Sequence, residues 1–165
     1  MPKTQTRSDA AKTTVTRDER RAGTHFTIEK LMAERAEMLT LFCRVAGLEP
    51  FEHHRGKIPA KELLQEFCQV LVDYLAAGHF SLYERIANGT ERRINVADLS
   101  AQVYPKISDS TQAALDFNDK YDGQYFEIAM GFQDDLSKLG EILAGRIELE
   151  DKLIDEIRRS GKNLR

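Results

Sequence analysis

The side chains best suited to binding chemistry are concentrated in one stretch of the sequence, VDYLAAGHFSLYERI, from Val72 to Ile86. Acidic, aromatic and imidazole groups recur along it: Asp73, Tyr74, His79, Phe80, Tyr83 and Glu84. Small residues from Ala76 to Gly78 lie between these bulky ones and predict a hollow. Aromatic faces around acidic acceptors are typical of a groove that binds a helix. The same residues, at helical spacing, could equally fill the interior of a bundle.

The remaining sequence lacks the residue patterns that are typical of metal binding and of catalysis. Helical bundles that hold a di-iron centre need Glu-x-x-His pairs, and the sequence contains none. His53 and His54 fit exposed loop histidines better than metal ligands, and Cys43 and Cys68 fit buried apolar positions better than a zinc site. Nucleophile elbows, phosphate loops and dinucleotide fingerprints are also missing from the sequence. The sequence therefore predicts neither an enzyme of a known motif class nor a metal or cofactor.

Length and composition indicate one soluble globular domain. The chain has 165 residues, of which 41% are hydrophobic and 31% charged. No stretch approaches the roughly 20 apolar residues of a membrane-spanning helix, and the first residues lack the apolar segment of a secretory signal. We therefore expect no membrane association and a cytoplasmic location.

Charge is distributed unevenly along the chain. Residues 1–25 contain six Lys and Arg against three Asp and Glu, so that the remainder carries a net charge of −6. An acidic body is not expected to bind nucleic acid directly. Residues 1–23 also lack periodic apolar residues and cannot bury enough surface to order themselves. We predict a flexible tail at residues 1–24 and a helical domain at residues 25–160.

The apolar residues beyond the tail recur at spacings of three and four, which predicts amphipathic helices. Helix caps, glycines and prolines place these helices at Phe26 to about Gly47, Ala60 to Ile86, Ala97 to Tyr121, and Gln124 to Arg159. Gly78 predicts a kink or a close approach, and Pro105 a kink or a division of the third helix. Acidic pairs such as Glu150-Asp151 are expected on the solvated face. The pattern predicts an all-α fold, an up-down-up-down four-helix bundle.

The segment from Phe67 to Ile86, FCQVLVDYLAAGHFSLYERI, closely resembles the signature segment of the Rsd/AlgQ family of anti-sigma regulators. Three further blocks are similar to family segments and occur in the same order. They are LFCRVAGLEPF at Leu41 to Phe51, ALDFNDKYD at Ala114 to Asp122, and RIELEDKLI at Arg146 to Ile154. The resemblance covers most of Ile28 to Ile157.

The resemblance implies a four-helix bundle that binds the C-terminal domain of the primary sigma factor of RNA polymerase. That domain reads the promoter −35 element through a helix-turn-helix and is basic, so an acidic body has the complementary charge. Matching positions imply Asp73 as the interface acid, with Tyr74, His79, Phe80, Tyr83 and Glu84 around it, and Arg35 in the first helix. Glu150 and Asp151 match the late acidic pair of the family.

One block departs from the family pattern. Glu29, Lys30 and Leu31 stand where relatives carry Asp-Arg-Trp, and the missing tryptophan removes a candidate anchor for a partner. Two other functions remain open from the residues: a signalling adaptor with a different protein partner, or a bundle that binds a small ligand or metal beside His79. The sequence fits a monomer and a dimer equally.

Overall fold

The computed structural model describes residues 17–54, 59–84, 91–122 and 131–162, and these ranges contain helices and no strand. The long helices are α1 (Arg17–Ala46), α2 (Lys61–Gly78), α3 (Ile94–Tyr121) and α4 (Phe132–Lys162). A short 3-10 helix, Glu52–His54, follows α1, and a π-helical turn, His79–Tyr83, continues α2. The prediction of an all-α fold is confirmed.

Helix α1 begins earlier than its apolar pattern predicts. It starts at Arg17, and Thr27 does not cap it, because the Thr27 hydroxyl lies within the helix and donates to the Thr24 carbonyl at 2.9 Å. The prediction of a helix start at Phe26 was wrong, because apolar spacing marks only the part of a helix that packs on the core. Residues 17–24, expected in the tail, are helical, whereas residues 1–16 lie outside the described ranges. The division into tail and domain stays a prediction.

The C-terminal end of α1 follows its sequence signal. The helix ends at Ala46, and Gly47 adopts a left-handed conformation with φ of 67°. The amide of Leu48 then donates to the Cys43 carbonyl at 3.0 Å. A glycine suits this position because it lacks the Cβ that makes positive φ unfavourable. The predicted stop at Gly47 is confirmed.

The later boundaries are close to those predicted where they are described. Helix α3 runs without a break through Pro105, so the proline does not divide it. A proline there removes only one backbone donor within a helix of 28 residues. The predicted turn at Asn88-Gly89 and the predicted helical residues 124–130 lie outside the described residues.

The helices pack around a common core. Helix α1 packs extensively on α2 and α3 on α4, while α2 also contacts α3 and α1 contacts α4. This set of neighbours is consistent with a four-helix bundle, and the up-down order of its helices stays a prediction. The stripe predicted on α2 is buried, and Phe67 on that stripe packs its ring against Phe42 and Phe117 at centroid distances of 6.0 and 6.1 Å.

Charged residues occupy three positions of the buried stripes. On α1, Arg35 lies between the buried residues Leu31 and Met38, and on α4 Arg146 and Glu150 continue the leucine stripe. The expectation that Glu150 lies on the solvated face was therefore wrong, because its register, rather than its charge, sets its direction. Two apolar residues of α1, Phe26 and Leu39, are exposed.

Candidate functional site

Four of the predicted partner-binding residues lie on one exposed surface of α2 and its π-helical extension. Two further residues at helical spacing from them, Gln69 and Ala76, are also exposed. We define the α2 face by the exposed residues Gln69, Asp73, Ala76, His79, Phe80 and Glu84. The surface combines two carboxylates with a phenylalanine whose side chain is unusually open to solvent, since Phe80 is 69% exposed.

Asp73 has acceptor capacity available on the α2 face. The amide nitrogen of Gln69 donates to Asp73 Oδ1 at 3.1 Å, one helical turn away. No ion pair holds Asp73 within the residues that the structure describes. The rings of His79 and Phe80 meet edge to face, with centroids 5.0 Å apart. A basic partner would find an unpaired carboxylate beside an exposed aromatic ring.

The π-helical turn positions the C-terminal half of the α2 face. The Glu84 amide donates to the His79 carbonyl five residues earlier, which is the pattern of a π-helix. Such turns are rare in proteins and occur frequently at functional sites. The wider turn keeps Phe80 exposed while Tyr83, three residues later, is buried.

Gly78 directly precedes this turn at a point of close packing. A Cβ added to Gly78 would lie 3.1 Å from Arg146 Nη2 and 3.1 Å from Tyr83 Cε2. The close approach predicted at Gly78 is confirmed. The predicted hollow beside the small residues was wrong, because the side chains of Arg146 and Tyr83 occupy the space that the glycine leaves.

The structure places Tyr74 and Tyr83 beneath the surface. Tyr74 is 0% exposed and Tyr83 is 3% exposed, so neither ring can touch a partner in this conformation. The Arg146 guanidinium lies over both rings, 5.3 Å from the Tyr74 centroid and 5.5 Å from that of Tyr83. The expectation that the two tyrosines form part of the contact surface was wrong for direct contact, because both point towards α4.

A buried polar layer surrounds these tyrosines. The Tyr74 hydroxyl donates to Glu150 Oε2 at 2.8 Å and also contacts Oε1. Arg146 lies 3.8 Å from Glu150 and donates through Nη1 to Ser110 Oγ at 3.0 Å and Thr111 Oγ1 at 2.7 Å. We define the polar layer as Tyr74, Tyr83, Ser110, Thr111, Arg146 and Glu150. It connects α2 and its π-helical turn to both α3 and α4.

Burial is the main cause of the pKa shifts in the polar layer. Loss of solvent raises the pKa of Glu150, although Arg146 and the Tyr74 hydroxyl oppose that shift. Burial and the nearby Glu150 also raise the pKa of Tyr74 and of Tyr83, so both phenols keep their protons at neutral pH. Tyr74 therefore acts as a hydrogen-bond donor, and the rings of both tyrosines pack around the buried Arg146 guanidinium.

Arg35, the predicted residue on α1, pairs with α4. Its Nη1 atom lies 2.8 Å from Asp151 Oδ1, and its side chain is only 10% exposed. Arg35 is also close enough to Glu150 for its charge to lower the pKa of that carboxyl. Arg35 thus joins α1 to α4 beside the polar layer and is separate from the α2 face.

Sequence reasoning missed Arg146 and misplaced Glu150, although a signal was present. Arg146 lies three residues after Leu143, and Glu150 lies four residues after Arg146 and three before Leu153, so the apolar stripe of α4 passes through both. The substituted position Leu31 is also 0% exposed. The Leu31 side chain packs in the core of this chain, and the interpretation of the missing tryptophan as a lost anchor stays a prediction.

Metal and membrane hypotheses gain no support from the described ranges. No three His, Cys, Asp or Glu side chains among those residues come together as a metal site, including those around His79. Cys68 is buried, and burial raises its pKa to about 12, while Cys43 is partly buried. None of the described helices is both long and apolar enough to cross a membrane.

Comparison with known proteins gives consistent matches. The sequence matches the family described as "Regulator of RNA polymerase sigma(70) subunit, Rsd/AlgQ" over residues 11–158. A "Regulator of sigma D" from Yersinia pseudotuberculosis is 34% identical over 139 residues, covering 82% of both chains. Proteins of the same name from Yersinia enterocolitica and Salmonella arizonae are 36% and 35% identical over 141 residues, covering 82% of this chain and 83% and 84% of theirs. No solved structure was found to match.

Proposed function

The chain belongs to the Rsd/AlgQ family of regulators of the RNA polymerase sigma(70) subunit, and from that premise we propose that it is an anti-sigma factor. Its partner in this proposal is the C-terminal domain of the primary sigma factor, which binds the α2 face. While bound, that domain can contact neither promoter DNA nor core polymerase. The chain acts by steric sequestration and performs no chemical step.

The observation that carries this proposal is the exposed Phe80 between two acidic residues. Large apolar side chains open to solvent are common anchors when charged groups surround them, because partner binding removes the ring from water. Asp73 and Glu84 flank Phe80 on the same face. Such an arrangement suits a basic partner with a shallow apolar pocket, and a helix-turn-helix domain that reads DNA supplies the basic surface.

The buried residues act indirectly in this proposal. Tyr83 and Arg146 pack against Gly78, at the start of the π-helical turn, and so fix the direction of Phe80. Tyr74 fixes the middle of α2 through Glu150. Arg35 links α1 to α4. We assign Tyr74, Tyr83 and Arg35 as positioning residues and Asp73, His79, Phe80 and Glu84 as contact residues.

Replacing Asp73 tests the charged part of the surface. Truncating an interfacial acid that pairs with a basic residue costs about 2 to 5 kcal/mol, so Asp73→Ala is expected to raise the Kd for the sigma C-terminal domain roughly 30-fold or more. Isothermal titration calorimetry measures the change. Asp155→Ala removes the same charge from an exposed position on α4 and serves as the matched control. Equal affinities for the two variants would reject Asp73 as a contact.

Replacing Phe80 tests the apolar part of the α2 face. Phe80→Ala is expected to weaken binding by about 2 kcal/mol or more, the usual effect of an anchor residue. Because the ring is largely exposed, stability should change by no more than about 0.5 kcal/mol. Phe26→Ala is the control, since Phe26 is 70% exposed on α1. Binding that survives Phe80→Ala while Phe26→Ala abolishes it would place the interface elsewhere.

A further inference from the structure

A second charged feature lies apart from the α2 face. An open cavity of about 1220 Å³ lies between the N-terminal part of α1, the start of α3 and the C-terminal end of α4. Ile28 and Ile157 contribute apolar side chains to it, while small residues such as Gly23 and Gly161 leave it open. Its basic lining consists of Arg20, Arg21, Arg92, Arg93, Arg158 and Lys162.

Few of these positive charges are neutralised. Glu91 is the only acidic residue among the described lining residues, and it binds Arg93 through two contacts of 2.7 and 2.9 Å. Arg158 lies 3.7 Å from Glu29. No ion pair joins Arg20, Arg21, Arg92 or Lys162 to another residue in the part of the chain that the structure describes. The cavity is therefore a concentration of positive charge on a chain whose net charge is −3.

Helix stability does not account for this charge. Arg158 and Lys162 suit the C-terminal end of α4, where cations interact favourably with the helix dipole. Arg92 and Arg93 immediately precede α3, where cations oppose the dipole, and the first turn of α3 contains no acidic residue. The first-turn amides of α3 also lack a side-chain cap. Glu91 offsets Arg93 and accepts a hydrogen bond from its amide at 3.0 Å, whereas Arg92 has no ion pair among the described residues, so an anion bound beside Arg92 would offset its charge.

A buried polar atom lies near the cavity. Ser100 is 0% exposed, and its hydroxyl has no hydrogen-bond partner among the described residues. It lines a small void of about 10 Å³ that shares Thr24, Arg93 and Ile157 with the large cavity. That volume is about the size required for one water molecule. The Ser100 hydroxyl therefore lies beside the basic cavity without lining it.

We propose that this basic cavity binds a phosphate-bearing ligand through its arginines. Guanidinium groups bind phosphate oxygens in pairs and are less strongly hydrated than ammonium groups, which favours a phosphate chain. A cavity between helix ends admits a compact ligand more readily than a rigid duplex. The ligand is either an inorganic phosphate chain or a nucleotide whose base and sugar cover Ile28 and Ile157.

Calorimetric titration of the full chain with inorganic triphosphate and with ATP tests the proposal. Saturable binding of either probe is expected, with a Kd that rises with salt concentration. Similar affinities identify the phosphate chain alone as the ligand, and tighter binding of ATP identifies a nucleotide. Absence of saturable binding by both probes would overturn the proposal, as would binding of duplex DNA or a glutamate-rich peptide in their place.

Two neighbouring arginines on α4, together with Arg92, supply matched variants. Arg92→Ala and Arg158→Ala are expected to weaken triphosphate binding roughly tenfold, the usual effect of losing a charge-assisted hydrogen bond. Arg159→Ala removes the same charge, but Arg159 does not line the cavity and pairs with Glu156 at 3.2 Å. The affinity of the Arg159→Ala variant for triphosphate should stay within about twofold of the parent. If Arg158→Ala and Arg159→Ala lose equal affinity for triphosphate, the anion is attracted by unspecific charge, and the proposed site is rejected.

Discussion

At the scale of single residues, the stability of the bundle depends on charged groups at core positions. Arg146 is 1% exposed and Glu150 is 0% exposed, and each would be very unfavourable in the interior without the other. Tyr74 donates to Glu150, and Ser110 and Thr111 accept hydrogen bonds from Arg146 Nη1, while Arg146 Nε and Nη2 have no hydrogen-bond partner among the described residues. Removing one member is expected to destabilise the bundle more than removing an exposed charge.

The close packing at Gly78 gives a residue-scale prediction. Replacing a glycine inside a helix by alanine usually stabilises by about 0.5 to 1 kcal/mol. Gly78→Ala is expected to destabilise by about 1 to 3 kcal/mol instead, because its Cβ would press on Arg146 and Tyr83. Urea unfolding followed by circular dichroism measures the change.

Gly145 is the matched control, since a Cβ added there meets nothing within 4 Å. Gly145→Ala should increase the free energy of unfolding by about 0.5 to 1 kcal/mol. If both substitutions stabilise equally, the polar layer is not rigid at Gly78, and its proposed role in positioning Phe80 fails.

The same residues show the limits of sequence reasoning. Spacing predicted which positions of α2 and α4 are buried, because helical periodicity depends only on residue type and register. It did not predict that Arg146 and Glu150 lie inside, since each depends on partners from other helices that become neighbours only after folding. Asp73 and Phe80 were singled out by the composition of the segment from Val72 to Ile86 and by the family resemblance, and their exposure could be established only from the packed helices.

At the scale of elements, a polar contact joins the end of α3 to the start of α4. Asp135 Oδ2 accepts hydrogen bonds from Lys120 Nζ at 2.6 Å and from the Tyr121 hydroxyl. The hydrogen bond from Lys120, followed by that from Tyr121, lowers the pKa of Asp135. Burial and the Asp135 contact raise the pKa of Tyr121 to about 12. The ionised carboxylate therefore favours the packed arrangement of the two helices.

This contact predicts a pH dependence of stability. Because the folded pKa of Asp135 is lowered, its contribution is fully present above the ordinary aspartate pKa of about 3.9 and is lost as pH falls through the folded value. Asp135→Asn is expected to reduce the free energy of unfolding by about 0.5 to 1 kcal/mol at pH 7, given its partial exposure. Below about pH 3 the difference from the parent should shrink.

Asp134 provides the control for this pH series. It lies in the same first turn of α4, is exposed, and has no ion pair within the residues described. Asp134→Asn should lose only its favourable interaction with the helix dipole, a few tenths of a kcal/mol. A pH profile of Asp135→Asn that coincides with that of Asp134→Asn would show that Lys120 and Tyr121 contribute nothing.

Residue patterns predict some helix boundaries and miss others. The stop of α1 was predictable because Gly47 adopts positive φ, a local property of one residue. The start at Arg17 was not, since no apolar residue marks the first turns. The π-helical turn likewise has no local signal beyond Gly78, because it depends on the fit of Tyr83 and Arg146 across two helices.

At the scale of the whole molecule, two charged surfaces lie on different parts of the bundle. The acidic α2 face belongs to α2 and its π-helical turn, whereas the basic cavity is formed by α1, α3 and α4. The fold class followed from periodicity, and the family from the resemblance. The cavity could not be predicted, because its arginines are distributed over three segments of the chain that look unremarkable one at a time.

The central claim is that the α2 face binds the sigma C-terminal domain, and amide chemical shifts test it most directly. Adding the unlabelled domain to the ¹⁵N-labelled chain should shift the amides of Gln69, Asp73, Phe80 and Glu84 most strongly. The exposed amides of α4, including that of Asp155, should change little. A spectrum unaltered by the domain, or one whose changes are confined to α3 and α4, would contradict the account.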